Sequence, residues 1–179
     1  QNEVGYPAYG RGRKDHEGLT AFGIETVEAC EANDVLVDLS HINKRGFIEA
    51  CRVARKPPIV SHTGVLGAHE HWRNIDDEQL RAVANKGGCV GIIFAPRYLG
   101  GAGLESVVDH LVHIIDVAGE DVPALGSDFD GVPTLPVGLE DVSKYPAITE
   151  ELMRRGHSDE DIKKILGLNL LRAFEKANP

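Results

Sequence analysis

The sequence predicts an α/β protein built on a parallel sheet with helical crossovers. Three observations predict it. Short runs rich in Val, Ile and Leu recur at 35–39, 59–60, 90–94 and 122–125. Between them lie stretches with apolar residues at helical spacing, clearest from Leu104 to Ala118. The two kinds of segment alternate strictly, and parallel strands need a long crossover that is usually a helix.

Each element follows from local chemistry. Residues 1–19 are rich in Gly, Pro and charge, lack periodicity and read as a loop. Ile24, Val27 and Cys30 imply a leading amphipathic helix from Thr20 to near Asn33 and Asp34. Val35-Leu36-Val37-Asp38-Leu39 is a short apolar run that suits a buried strand. Asn43 can cap the next helix, whose apolar face is Phe47, Ile48, Cys51 and Ala54. Pro57-Pro58 stops that helix because proline has no N–H to donate. Ile59-Val60 is a very short strand. Asp76 and Gln79 have the spacing of a capping box, opening a helix with Leu80, Val83 and Ala84 that ends at Gly87-Gly88.

Val90 to Phe94 is the third strand, and a Gly-rich loop follows it. Leu104, Val107, Val108, Leu111, Ile114, Ile115 and Ala118 form the clearest helical stripe. Val122 to Leu125 is the fourth strand. Helices over 147–155 and 159–175, the second capped by Ser158 and Asp161, close the chain. Residues 1–179 thus form a single region: a loop over 1–19, then four βα units with a leading helix and a C-terminal helical pair.

Composition narrows the function. The 179 residues are 42% hydrophobic and 26% charged, which excludes a disordered, collagen-like or disulfide-scaffold chain. Asp and Glu number 28 against 19 Lys and Arg, a formal net charge of -9. That surface repels phosphates and offers no dense basic patch, so no nucleic-acid partner is expected. No apolar run approaches the length of a membrane span. Cys30, Cys51 and Cys89 are an odd count without metal-type spacing, and read as free, buried thiols in a reducing, cytoplasmic setting. The chain opens on Gln1 with no signal-peptide pattern, so its start reads as the middle of a longer sequence.

In parallel α/β folds, ligands bind beyond the carboxyl ends of the strands. Ser40-His41 follows the first strand and Ser61-His62 the second. Phe94-Ala95-Pro96 follows the third and Gly126-Ser127-Asp128-Phe129-Asp130-Gly131 the fourth. Two histidines and an aspartate therefore occupy equivalent places on three strands. Neutral imidazole and carboxylate are the usual ligands of Zn²⁺ and related ions. Each residue alone has a plainer role: a His after a strand commonly sits in a loop, and Asp128 and Asp130 before Gly131 can simply shape a turn. Their coincidence on successive strands is what favours a site.

Other histidines read as structural. His69-Glu70-His71 lies in a surface loop, His110 and His113 on the solvated side of the long helix, and His16 and His157 in loops. Arg73-Asn74 lies eleven residues after His62, in the loop above the same strand. An Arg there is either solvent-exposed or a bidentate clamp for a substrate carboxylate.

Several motifs together resemble a known family. They are Gly18-Leu19-Thr20-x-Phe22-Gly23, Val37-Asp38-Leu39-Ser40-His41, Val60-Ser61-His62, Arg73-Asn74, the block from Gly126 to Pro133, and Gly138-Leu139-Glu140-Asp141-Val142-Ser143-Lys144-Tyr145-Pro146. In these the chain resembles the membrane (renal) dipeptidase family of zinc peptidases, from residue 18 onward. The resemblance implies a (β/α)₈ TIM-type barrel related to the amidohydrolases, of which this chain is the C-terminal half, strands five to eight. It implies zinc-dependent hydrolysis of dipeptides, of broad specificity, at two zinc ions that share a bridging carboxylate and water. His41 and His62 match the two histidines that hold the second zinc. Asp128 matches the aspartate that handles the proton of the attacking water. Arg73 matches the arginine on the substrate's terminal carboxylate, with Asn74 beside it as a substrate-binding residue.

The chain also departs from the family pattern. It lacks the His-x-Asp pair that holds the first zinc and the bridging Glu, so it supplies ligands mainly for one of two ions. A complementing N-terminal half-barrel chain or a homo-oligomer is therefore the expected partner, beside the dipeptide substrate. The alternatives are another amidohydrolase-type metal hydrolase and a non-catalytic half-barrel that binds or assembles.

Overall fold

The computed structural model describes residues 3–178. Its sheet has three parallel strands in sequential order: β1 (Ile59–Thr63), β2 (Cys89–Ile92) and β3 (Pro123–Leu125). Eight α-helical segments are present among the described residues: α1 (Ala21–Ala32), α2 (Lys44–Val53), α3 (Asp77–Asn85), α4 (Pro96–Leu99), α5 (Leu104–Ala118), α6 (Tyr145–Arg154), α7 (Asp159–Lys163) and α8 (Asn169–Ala177). The alternation expected of an α/β chain is therefore present. No helix among the described residues is long and apolar enough to cross a membrane.

The helix starts are where side chains can satisfy free N–H groups. Thr20 accepts from Gly23 N–H at the start of α1, and Asn43 from Gly46 N–H at the start of α2. Asp76 with Gln79, and Ser158 with Asp161, form complete capping boxes. Pro96 and Pro146 stand in the first turns of α4 and α6, where a missing N–H costs nothing.

The expected strand over 35–39 is not one. Asp38 makes a single parallel bridge to Ile59, closed by Leu39 N–H to Ile59 C=O and Ile59 N–H to Val37 C=O, both 2.9 Å. The Asp38 carboxylate takes the N–H groups of Ser40 and Ser61 instead of leaving them to a ladder. Val35, 52% exposed, has already left the sheet. β1 runs three residues past its expected end, so Ser61 and His62 lie inside the strand.

The final long helix also departs from expectation. Residues 159–175 do not form one rod: a π-turn over Lys164–Leu168, kinked at Gly167, separates α7 from α8. The kink turns Asn169 inward, where its amide donates to the carbonyls of Glu120 and Pro123 at 2.9 Å each. Arg172 reaches the carbonyls of Gly87 and Asp121, tying together the segments that enter β2 and β3.

The core lies where α2, α3, α5 and the closing helices cover the strands. Phe47, Leu80, Val90, Ile92, Phe94, Leu111, Ile114, Leu152 and Ile165 are buried in one cluster. Each such side chain contributes about 1.5–3 kcal/mol by leaving water. The leading helix is less amphipathic than its spacing suggests. Val27 is buried, but Ile24 is exposed and Cys30 only half-buried, because α1 packs on α2 at the margin of the fold. Gly91 on β2 and Gly126 just past β3 face each other, and a Cβ on either would run into the carbonyl oxygen of Ser61. Close approach of three backbones beneath the site requires glycine there.

Candidate active site

The carboxyl ends of the strands bring the expected residues together. His62 is the fourth residue of β1, and His41 follows the Asp38 bridge beside it. Their Nε2 atoms face each other at 2.9 Å, with ring centroids 4.8 Å apart. Asp128, beyond β3, places Oδ2 4.0 Å from His62 Nε2. Asp128 has a φ of 56°, a left-handed conformation that Asp tolerates better than most residues. Its carbonyl also accepts from Gly131 N–H at 2.9 Å, so it shapes the turn as well as facing the histidines.

A hydrogen-bonded relay holds His62. The Asp38 carboxylate accepts from both N–H and hydroxyl of Ser40 and of Ser61, with 2.6 Å from Ser61 Oγ to Oδ2. With its one proton committed to Asp38, Ser61 Oγ can only accept from His62 Nδ1–H, 2.8 Å away. His62 Nε2 therefore carries a lone pair aimed at His41. On the other ring, Tyr9 Oη lies 3.1 Å from His41 Nδ1. In this arrangement His41 Nε2–H donates to His62, and Tyr9 donates to His41. If the His41 proton moves to Nδ1, Tyr9 becomes its acceptor and both Nε2 lone pairs are free.

The electrostatics keep these rings neutral. Burial, with Arg73 and His62 adding to it, pushes the His41 pKa below the ordinary imidazole value. Burial also lowers His62, and Asp128 offsets part of that. Burial pushes Asp38 up, but the bonds from Ser61 and Ser40 outweigh it and hold the carboxyl below its usual value.

Arg73 is buried, not solvent-exposed. Its guanidinium donates to Thr63 Oγ1 at 3.3 Å and to the His62 carbonyl at 3.1 Å. Two of five donors are used, which leaves a charged fork for a ligand. Asn74 is also buried, and both of its amide hydrogens go to carbonyls, those of His69 and Tyr98, at 2.8 Å. Its Oδ1 is buried without a partner. The loop 64–75 lies at the mouth, since it directly continues β1. There Trp72 packs between Tyr9 and His71, and His71 against Tyr98. A cleft of about 460 Å³ runs between Ala95–Tyr98 and Gly131–Thr134. Among the described residues no group of three or more His, Cys, Asp or Glu side chains is placed to hold one ion.

Three participants escaped the reading of the sequence. The sequence places Asp38 within the apolar run over 35–39, Ser61 only as the neighbour of His62, and Tyr9 in the loop over 1–19. The signal for the first two was present in the repeated Ser-His pair, which sets a hydroxyl beside each imidazole. Tyr9 had none, because only the antiparallel bridge of Pro7 to Ile42 brings it over His41.

The chain belongs to the membrane dipeptidases, peptidase family M19, whose profile matches residues 6–179. It is 39% identical over 165 residues to an uncharacterized dipeptidase of Schizosaccharomyces pombe, covering 89% of this chain and 40% of that one. A metallopeptidase of Rhodobacter sphaeroides, solved with a phosphinate mimic of the dipeptide L-Ala-D-Ala, superposes with a TM-score of 0.84 at 32% identity. That match covers 97% of this chain and 50% of the other. An amidohydrolase of Pseudomonas aeruginosa gives a TM-score of 0.88 at 27% identity, over 99% of this chain and 62% of that one. The chain thus spans about half the length of the relatives it matches.

Proposed function

We propose that this chain forms the C-terminal half, strands five to eight, of a (β/α)₈ barrel that hydrolyses dipeptides with zinc, the Asp38–Ile59 bridge standing where strand five would run. The observation that carries the proposal is the pair of Nε2 atoms, His41 and His62, facing each other at 2.9 Å. Two imidazoles bound to one tetrahedral Zn²⁺ at about 2.0–2.1 Å set their nitrogens about 3.3 Å apart. This pair stands a few tenths of an ångström closer than that, both rings are held neutral, and the Asp38–Ser61 relay presents the His62 lone pair. The donor set therefore fits zinc. Two imidazoles are an incomplete set, so further ligands come from outside this chain.

The half-barrel reading rests on topology and surface. Sequential parallel strands joined by helices are what a barrel segment requires. On α8, Leu170, Leu171 and Phe174 fall within an arc of about 100° and are all exposed, as are Leu166 and Leu168 in the π-turn. An apolar face beside the open edge of β3 is suited to packing against the missing strands and helices.

Bound zinc would supply an activated water and polarise the scissile carbonyl. Asp128, 4.0 Å from His62 Nε2, would be the proton carrier of the site, taking up a proton and giving it to the leaving amine. Arg73 is placed to hold the C-terminal carboxylate of the dipeptide, in a buried setting where a charged fork counts for more than in water. Asn74 keeps the Arg73 loop in register through its bonds to the His69 and Tyr98 carbonyls, and its buried Oδ1 packs against Gly64.

Native mass spectrometry with metal analysis tests this. A complex with a second chain of similar size and about two zinc ions per pair, active on dipeptides, is the expected result. A single chain that stays metal-free and inactive when a family N-terminal half is supplied would overturn it.

A further inference from the structure

His110 lies on α5, below the mouth, and is 0% exposed. Its Nδ1 accepts from Val65 N–H at 2.9 Å, and its Nε2 donates to the Leu99 carbonyl at 3.3 Å. Only the neutral Nε2–H tautomer satisfies both partners, one a fixed donor and the other a fixed acceptor. Burial pushes its pKa down to about 4, so the ring stays in that form at neutral pH. The solvated helix face expected for His110 is thus the reverse of what the fold does with it.

The two partners belong to different mouth segments. Val65 opens the loop that carries Trp72, Arg73 and Asn74. Leu99 ends α4, whose Tyr98 packs on His71. Asn74 joins the same two segments from the other side, through Tyr98 C=O. Loop and helix are therefore stapled at two points, with Arg73 and Trp72 between them. Leu111 and Val107 show that this helix face accepts purely apolar side chains. An imidazole here serves only where both nitrogens are bonded, because a half-satisfied buried polar group is costly.

We infer that His110 is a positioning residue that sets, through Val65 and Leu99, where Arg73 stands relative to α4, and so fixes how a substrate carboxylate is seated. The inference rests on the reading of Arg73 as the carboxylate clamp.

The test uses the full chain with the dipeptide Ala-Ala and its C-terminal amide as probes. Trp72, the single tryptophan, reports binding by fluorescence. Amide exchange at Val65 reports the staple. In His110→Leu, Val65 should exchange about tenfold faster and Ala-Ala should bind about tenfold more weakly, the scale of one lost hydrogen bond. Binding of the amide should not change. His110→Asn, whose Oδ1 stands near the Nδ1 position, should restore Val65 protection and Ala-Ala affinity. His110→Gln, which reaches only Leu99, should not.

A folded His110→Leu with unchanged Val65 exchange, or equal losses for Ala-Ala and its amide, would overturn the inference. If His110→Leu does not fold, equal behaviour of the Asn and Gln variants would overturn it instead. A native chain that binds Ala-Ala no better than its amide removes the clamp reading. The staple is then decided by Val65 exchange and Trp72 emission in the variants.

Discussion

His41 and His62 meet edge to face, at an interplanar angle of 60°, and share one short contact between their Nε2 atoms. A single proton fits between two such lone pairs, and a cation can replace it. His41→Ala and His62→Ala should each weaken zinc binding by more than about a hundredfold, since loss of even an outer-shell partner costs 10–100-fold. Isothermal titration with zinc checks this. Full turnover by a complex carrying both substitutions would exclude the metal role.

Ser61 should matter nearly as much without touching the ion. It is the link between Asp38 and His62 Nδ1. Ser61→Ala leaves the His62 tautomer unspecified and should reduce zinc affinity by about 10–100-fold, measured by competition with a chelator. Unchanged affinity would mean that the relay does not hold the ring.

Arg73→Ala should raise KM for dipeptides by about tenfold to a hundredfold in the active complex, with a smaller effect on kcat. Arg73→Lys should not restore KM, because an ammonium cannot match a fork already braced on Thr63 and the His62 carbonyl. Steady-state kinetics on a free dipeptide and its amide separate the two effects.

Stability should fall on mild acidification through His110. Its folded pKa is about 4 against an ordinary 6.5. Between these values the unfolded chain takes up a proton that the fold refuses. The contribution is therefore complete above pH 6.5 and is lost as pH falls toward 4, by up to about 3 kcal/mol. His69 and His113 push the pKa lower, while the Leu99 bond and Asp109 oppose that shift. Urea melts at pH 7 and pH 4.5 should show a larger loss for the native chain than for His110→Leu.

The elements with strong local signals were legible in the sequence. The capping boxes at Asp76 and Ser158, the stripe from Leu104 to Ala118 and the proline stop at 57–58 all carry short-range chemistry. Elements set by distant partners were not. The 35–39 run has strand composition, but Asp38 spends its acceptors on Ser40 and Ser61. The π-turn depends on Asn169 finding the carbonyls of Glu120 and Pro123, 49 and 46 residues away. Within the site, His41, His62, Asp128 and Arg73 were visible as types at strand ends. The burial of Arg73 and His110 was not, because polar residues at helical or loop spacing give no sign of the backbone groups that will satisfy them.

The exposed ridge on α8 has a consequence for the life of the chain in a cell. Leu170, Leu171 and Phe174, the last 51% exposed, form the kind of surface that holdase chaperones grip. On the proposed half-barrel, an uncovered ridge leaves the chain open to proteostasis machinery until the other half packs on it. Replacing Leu170 and Phe174 with Lys would make the isolated chain easier to handle and, on the proposed half-barrel, would block its packing against the other half.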